Sequence, residues 1–247
     1  MQKVKISFRL ATLIEQSKQL NTSIKSIADI GTDHGYLPFK MFENGLIDKS
    51  ILCDINKGPL ENAKQTFEKS DFINQVDFRL GSGIEPLIPG EVDLVFIAGM
   101  GGGLILDILS KDLSKSLSFP YLILQPMTEQ NLLRTWLINN GFEVLWDHFI
   151  EDANKQYEII VVQPIRLVNH NYSTLEIPGN DPEFGIRILP SQIKTFVNFI
   201  DFKSKKYEMI QSRIENEGNS ERSDKRDLCK KKLETIQTIY KVIKPKL

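Results

Sequence analysis

The stretch Ser23–Phe42, "SIKSIADIGTDHGYLPFKMF", decides how this chain is read. An apolar run, Ile27–Ile30, stops at Gly31. Asp33 and His34 follow on a turn bounded by Gly35, and a segment of helical periodicity begins at Tyr36. A short apolar run closed by glycine and followed at once by a helix reads as a buried strand feeding a strand–helix unit. In an open α/β sheet, ligands bind outside the carboxyl ends of the strands, so this turn is the default ligand site.

The same pattern repeats outward. Candidate strands fall at Ser26–Ile30, Ser50–Asp54, Val76–Arg79, Asp93–Ala98, Tyr121–Gln125, Glu143–Trp146 and Gln156–Val162. Helical segments lie between them at Tyr36–Asn44, Gly58–Lys69, Leu104–Ser110 and Glu129–Asn140, with a further helix at Phe8–Leu20 before the first strand. Nearly all-apolar strands alternating with helices predict an α/β, Rossmann-like fold: a mostly parallel sheet covered on both faces. This domain is expected over residues 1–167.

Residues 168–190 are rich in Asn, Pro and Gly and read as a connector. Beyond it, Ile193, Phe196, Ile200, Lys203, Tyr207, Ile210 and Ile214 step by three and four, a heptad seam with one lysine in it. "ENEGNSERSD" breaks the pattern, and Cys229, Leu233, Ile236, Tyr240 and Ile243 resume it. Residues 191–247 are therefore expected to form an antiparallel coiled-coil hairpin. Such a hairpin satisfies its own heptads, which favours a monomer.

The 247 residues carry a formal net charge of −1, unevenly spread. From Ser191 onward there are 14 Lys and Arg against 8 Asp and Glu; the first 190 residues have 17 against 24. A basic tail on an acidic body signals either a polyanion contact or a Lys-rich helical surface. The two cysteines, Cys53 and Cys229, have neither metal-ligand nor disulfide-framework spacing, which fits a reducing, cytoplasmic compartment and no metal. No stretch approaches the roughly 20 apolar residues of a membrane span.

The glycine register at the first turn discriminates between cofactors. A dinucleotide site needs G-x-G-x-x-G so that pyrophosphate can touch the backbone. From Gly31 that register falls on Asp33 and Tyr36, and the carboxylate of Asp33 would repel pyrophosphate. S-adenosylmethionine carries an ammonium and a sulfonium and suits a turn bearing carboxylates. Asp29-x-Gly31-x-Asp33-x-Gly35 follows the D/E-x-G-x-G-x-G pattern of its class I methyltransferases except at the middle glycine. Asp54, 23 residues after Gly31, reads either as the acceptor of both ribose hydroxyls or as a cap for the helix after Asn56. Gly81-Ser82-Gly83 follows the third strand, and Ala98-Gly99-Met100-Gly101-Gly102-Gly103 ends the fourth. That density of glycine at a strand end implies close backbone approach to a ligand.

Taken together, "ADIGTDHGYLP", "CDINKGPLENA", "RLGSGIEPL", "IAGMGGGLI" and "LILQPM" resemble the bacterial TrmK family, as do "LRTWLINNGFEV" and "KQYEIIVV". These are S-adenosylmethionine-dependent methyltransferases that modify N1 of the adenine at position 22 of tRNA. Ser82 and Met127 depart from the family pattern, which usually has an acid or amide at the first and often asparagine at the second. The resemblance implies cofactor contacts from Asp29, Gly31, Asp33, Gly35, Asp54, Ile55, Gly81, Ser82, Gly83, Ala98, Gly99 and Gly101. It also implies a tRNA partner and a basic tail that holds it, with Lys203, Lys205, Lys206, Lys230, Lys231 and Lys232 as candidate phosphate contacts.

The chemistry agrees. N1 of neutral adenine has a free lone pair and attacks a methyl in line without prior deprotonation, so positioning and desolvation suffice. The Ala98–Gly102 turn offers backbone and space but no acid or base, and the chain lacks the Asn/Asp-Pro-Pro-aromatic motif expected for exocyclic amines. N1 lies on the Watson–Crick edge, so a paired base must leave the stack. Tyr36 and Met100 are candidates to line its pocket, and His34 and Gln125 to meet its polar edge. His34 also reads as a loop histidine and Tyr36 as a packing residue.

Overall fold

The computed structural model describes residues 4–152, 155–167, 172–217 and 223–247. Its helices are α1 (Phe8–Lys18), α2 (Tyr36–Glu43), α3 (Lys57–Phe67), α4 (Gly102–Ser110), α5 (Leu113–Ser116), α6 (Gln130–Asn139), α7 (Ile193–Glu217) and α8 (Ser223–Ile243). Its strands are β1 (Ser26–Ile30), β2 (Lys49–Asp54), β3 (Val76–Leu80), β4 (Leu94–Met100), β5 (Tyr121–Pro126), β6 (Phe142–Asp152), β7 (Lys155–Pro164), β8 (Leu175–Glu176) and β9 (Arg187–Ile188).

The nine strands among the described residues join one sheet in the order β3-β2-β1-β4-β5-β7-β6-β9-β8. The pairs from β3 to β5 are parallel, and β7 is antiparallel to both β5 and β6. The chain winds outward from β1 to β3 and then restarts at β4 on the other side of β1. The strand order therefore reverses between β1 and β4, which makes their carboxyl ends the switch-point crevice.

Strand alternation divides the core by face. Ile27, Leu52 and Phe96 pack with α1, α2 and α3 through Leu13, Phe42 and Phe67. Ala28, Ile30, Ile51, Cys53, Val95 and Ile97 pack with α4 and α6 through Ile105, Leu109, Leu133 and Leu137. Both layers remove apolar surface from water and clamp the central strands, so the loops at their ends are carried on a rigid frame.

The hairpin is fused to this sheet. Phe149 of β6 lies 4.3 Å, ring centre to ring centre, from Phe199 of α7. Ile177 and Phe184 of the connector share the cluster with Phe196, Ile200, Ile236 and Ile239. Most of the expected seam positions are buried, but Val197, Phe199 and Ile239 are buried as well, because α7 faces both α8 and β6. The segment that joins α7 to α8 lies mostly outside the described residues, as does the start of the connector, 168–171.

The lysine in the seam has a specific cause. Arg134 of α6 is fully buried and bonds Asp147 of β6 and Glu158 of β7, each at 2.7 Å. Lys203 continues this network, 3.4 Å from Glu183 and 3.9 Å from Glu158. Lys232 of α8 closes it on Asp181 at 2.6 Å and Glu183 at 3.1 Å, and Tyr207 donates to Glu183. Burial alone would push the Glu183 carboxyl up; the Tyr207 hydroxyl and the two ammonium groups prevail and hold it below its ordinary value. Among the described residues, no helix is long and apolar enough to cross a membrane.

Candidate active site at the β1–β4 switch point

The turn after β1 is built by its backbone. The N–H groups of Gly31 and Thr32 both donate to the Cys53 carbonyl of β2, at 2.8 and 3.2 Å, and tie the first turn to the second strand end. Gly31 adopts φ 73°, and a Cβ there would stand 2.3 Å from the terminal methyl of Met100. Glycine is required both for the left-handed backbone and for the approach of Met100. Gly35 then begins α2.

Two buried carboxylates stand at the ends of β1 and β2. Asp29 is 7% exposed and accepts a 2.7 Å hydrogen bond from the Thr32 hydroxyl. Burial pushes its carboxyl up to about 6, assisted by Asp54 and opposed by Thr32 and Arg9. Asp54, 9% exposed, accepts the N–H of Asn56 at 2.8 Å through Oδ1, so it caps the turn before α3 and keeps a second oxygen for a ligand. Ile55 beside it is 64% exposed. The Gly81 N–H donates to the Asp54 carbonyl at 3.0 Å, which brings Gly81-Ser82-Gly83 alongside the same strand end. Asp33, on the first turn, is exposed.

The end of β4 bulges. Its register with β5 shifts between Ala98 and Met100, and Gly99 at that point has φ 80°. Bulges of this kind re-aim backbone groups beside active sites. The Met127 N–H donates to the Met100 carbonyl at 2.7 Å and the Gly102 N–H to the Thr128 carbonyl at 2.8 Å, so the turns after β4 and β5 brace each other. Gly101 caps α4 from this turn.

The expected base-facing residues separate into two groups. His34 and Tyr36 stack at 5.0 Å with their planes 13° apart, forming a half-exposed aromatic shelf over the first turn. Met100, half-buried, lies between that turn and the bulge. Gln125 differs from the expectation. It is fully buried: its amide oxygen accepts from Arg9 (2.6 Å) and the Gly99 N–H (3.1 Å), and its amide nitrogen meets the Pro126 carbonyl and the Met127 sulfur. With both ends engaged it braces the bulge and orients Arg9, and has no free edge for a base. Arg9 itself was not expected here; its sequence neighbourhood, "SFRLATL", shows only a capped helix, and its role arises from a contact across 116 residues.

A cavity of about 330 Å³ opens between the Ser82 loop and α4, lined by Ser82, Ile84, Leu104 and Ile108 among others. It touches neither Gly31, Asp54 nor Gly99, so it adjoins those turns without containing them.

The lysine set also divides. Lys205, Lys206, Lys230 and Lys231 are exposed, with no ion pair to a described residue. Lys203 and Lys232 differ from the expectation: their side chains are 12% and 13% exposed and engaged with Glu158, Glu183 and Asp181, so they hold the connector and have no ammonium turned out for a phosphate.

The arrangement fits S-adenosylmethionine. A buried carboxylate at Asp29, with no ion-pair partner among the described residues, suits an ammonium, Asp54 suits a ribose diol, and the Gly31 and Gly99 backbones leave room between them. The comparisons agree. A family model described as a methyltransferase domain matches residues 6–160. The tRNA (adenine(22)-N(1))-methyltransferase of Bacillus subtilis is 36% identical over 163 residues, 66% of this chain and 67% of the relative. The structure of M. capricolum TrmK with S-adenosylhomocysteine superposes with a TM-score of 0.74 at 25% identity, covering 96% of this chain and 99% of that one. A Streptococcus pneumoniae relative bound to S-adenosyl-L-methionine gives a TM-score of 0.75 at 27% identity, covering 95% and 99%.

Proposed function

This chain belongs to the bacterial TrmK family of methyltransferases, and from that premise we propose that it methylates N1 of the adenine at position 22 of tRNA, using S-adenosylmethionine. The observation that carries the reading is the pairing, at adjacent strand ends, of two buried carboxylates with a bulged glycine turn that bears no acid or base. When bound, the cofactor supplies an electrophilic methyl that the N1 lone pair takes, with the carbon–sulfur electron pair leaving on sulfur.

The chain's own residues bind, orient and exclude water. Asp29 holds the ammonium end, Asp54 and Ile55 the ribose and adenine end, and the Gly81–Gly83 loop borders the adenine. Asp33 adds negative charge at the mouth of the same turn. The backbone from Ala98 to Gly101 gives the target base close approach. His34 and Tyr36 offer a stacking face to a base drawn out of its helix, and Met100 closes the floor between the two turns. Adenine N1 needs no deprotonation, so placement within a dry site is the main catalytic requirement.

The exposed Lys205, Lys206, Lys230 and Lys231 track phosphates of the tRNA body. In this reading the enzyme works in the cytoplasm. It acts as a monomer, because the hairpin buries its own seam, and it needs no metal, because neutral adenine is already a nucleophile at N1. Calorimetry with S-adenosylhomocysteine and methyl incorporation into unmodified tRNA test it together. Asp54→Ala should remain folded and lose about 2–3 kcal/mol of cofactor affinity, the value of two hydrogen bonds to a charged group. Unchanged affinity removes Asp54 from the site.

A further inference from the structure

Arg9 projects from the first turn of α1 onto the bulge. Its two terminal nitrogens lie 3.6 and 3.9 Å from the point where a Cβ on Gly99 would stand. The buried Gln125 oxygen holds one of them at 2.6 Å and also accepts the Gly99 N–H, so the guanidinium is fixed relative to the bulge. A guanidinium has five donors, and among the described residues Arg9 has this one neutral acceptor.

The other buried or half-buried arginines behave differently. Arg79 pairs with Glu91, Arg134 with Asp147 and Glu158, and Arg187 with Glu143. Arg9 is half-buried with no carboxylate in ion-pair range among the described residues; Asp29 is the acid whose charge it senses at longer range. A fixed, partly desolvated cation without a counter-ion is costly. It is more so here, because the reaction begins with a cationic sulfonium and ends with a cationic N1-methyladenine. Like charge at that point opposes both unless an anion joins them.

We infer that Arg9 is an oxyanion-binding residue that completes its ion pair only with a bound reactant. The inference rests on the methyltransferase reading. The ligand chemistry is a phosphate or carboxylate, taken by the guanidinium fork, and two sources present it at this place: the tRNA phosphate beside the target adenosine and the carboxylate of the cofactor. Gln125 is the positioning residue that aims the fork.

The test uses the full chain, Arg9→Met and Gln125→Glu, the latter keeping an acceptor for Arg9 while cancelling its charge. For each we would measure kcat and KM for unmodified tRNA at several salt concentrations, S-adenosylhomocysteine affinity, and the melting temperature. With a phosphate source, both variants lose roughly tenfold to a hundredfold in kcat/KM for tRNA, and the log–log salt slope falls by about 0.7–0.9 while cofactor affinity holds. With a carboxylate source, cofactor affinity falls by about tenfold or more and the salt slope holds. Arg9→Lys should recover part of either loss. Variants with wild-type tRNA kinetics and cofactor affinity overturn the inference. So does lost activity with both the salt slope and the cofactor affinity unchanged, which would make Arg9 a packing element. A wild-type protein that fails to methylate tRNA would overturn the functional reading instead.

Discussion

Lys232 of α8 lies 2.6 Å from the Asp181 carboxylate, its side chain 13% exposed, while Lys230 and Lys231 in the same basic run point to solvent. One lysine of the triplet is structural, and two have no ion pair to a described residue. Lys232→Glu should leave Asp181 and Glu183 facing a third carboxylate and lower stability by about 1–3 kcal/mol, several degrees in melting temperature. Lys230→Glu with Lys231→Glu should melt within about 0.5 kcal/mol of wild type yet weaken tRNA binding and flatten its salt dependence. Equal melting and equal tRNA affinity across the three positions would contradict the division.

The hairpin covers the sheet, and removing it should damage the body. Phe149 and Phe184 are fully buried, and Ile177 nearly so, in the cluster they share with α7 and α8. A fragment ending at Pro190 exposes all three. It is expected to bind the dye ANS and elute as an aggregate, since contiguous apolar surface of this kind drives association. Monodisperse elution with a sharp melt would show the body to be independent.

Asp29 predicts a pH dependence. Burial pushes its carboxyl up to about 6, against 3.8 for the free group. The sign follows: the folded chain binds this proton more tightly than the unfolded chain, so as pH rises from about 4 through about 6 the fold loses stability on this account. At pH 7.5 the ionised group costs about 2–3 kcal/mol in the cofactor-free protein. Asp29→Asn should therefore melt higher than wild type at pH 7.5, melt alike near pH 4, and give no thermal response to S-adenosylhomocysteine. A variant that melts lower at pH 7.5 would refute the sign.

Gly31 and Gly101 should differ although both sit on glycine turns. Alanine at Gly31 must hold φ near 73° and displace the Met100 methyl from 2.3 Å. Left-handed backbone costs about 1–2 kcal/mol for a residue with a Cβ, and Met100 is driven toward the cleft. Gly31→Ala should fold, melt a few degrees lower and bind S-adenosylhomocysteine about tenfold or more weakly. At Gly101 the added Cβ meets only the Thr128 hydroxyl, at 3.2 Å, on ordinary extended backbone. Gly101→Ala should keep cofactor affinity within about twofold. Calorimetry on the pair separates the two positions.

What could be read from the residues follows burial. β1, β2, β4 and β5 are nearly continuous apolar runs between turn residues, so the strands and the glycine turns are legible; β4, expected to end at Ala98, runs on to Met100 through the bulge at Gly99, which no apolar pattern marks. β6 was expected to stop at Trp146 but continues to Asp152. Asp147 makes that region look polar; the buried guanidinium of Arg134, thirteen residues away, neutralises it, and spacing does not reveal such a partner. The connector has no periodicity, and β8 and β9 form because β6 offers a pairing edge. Lys203 read as a flaw in a two-helix seam because its acidic partners lie on β7 and in the connector. Arg9 and Gln125 acquire their roles only when α1 is laid against the ends of β4 and β5, a tertiary event that leaves no local pattern.

The reaction proposed for this chain transfers one methyl to one nitrogen of one nucleotide. The most direct measurement is incubation of the purified chain with methyl-labelled S-adenosylmethionine and an unmodified tRNA bearing adenine at position 22, followed by nucleoside analysis and position mapping, alongside the same tRNA with guanine there. Label is expected only in N1-methyladenosine, only at position 22, and none in the guanine-22 tRNA. Label in N6-methyladenosine, label at another position, or equal labelling of both tRNAs would contradict it.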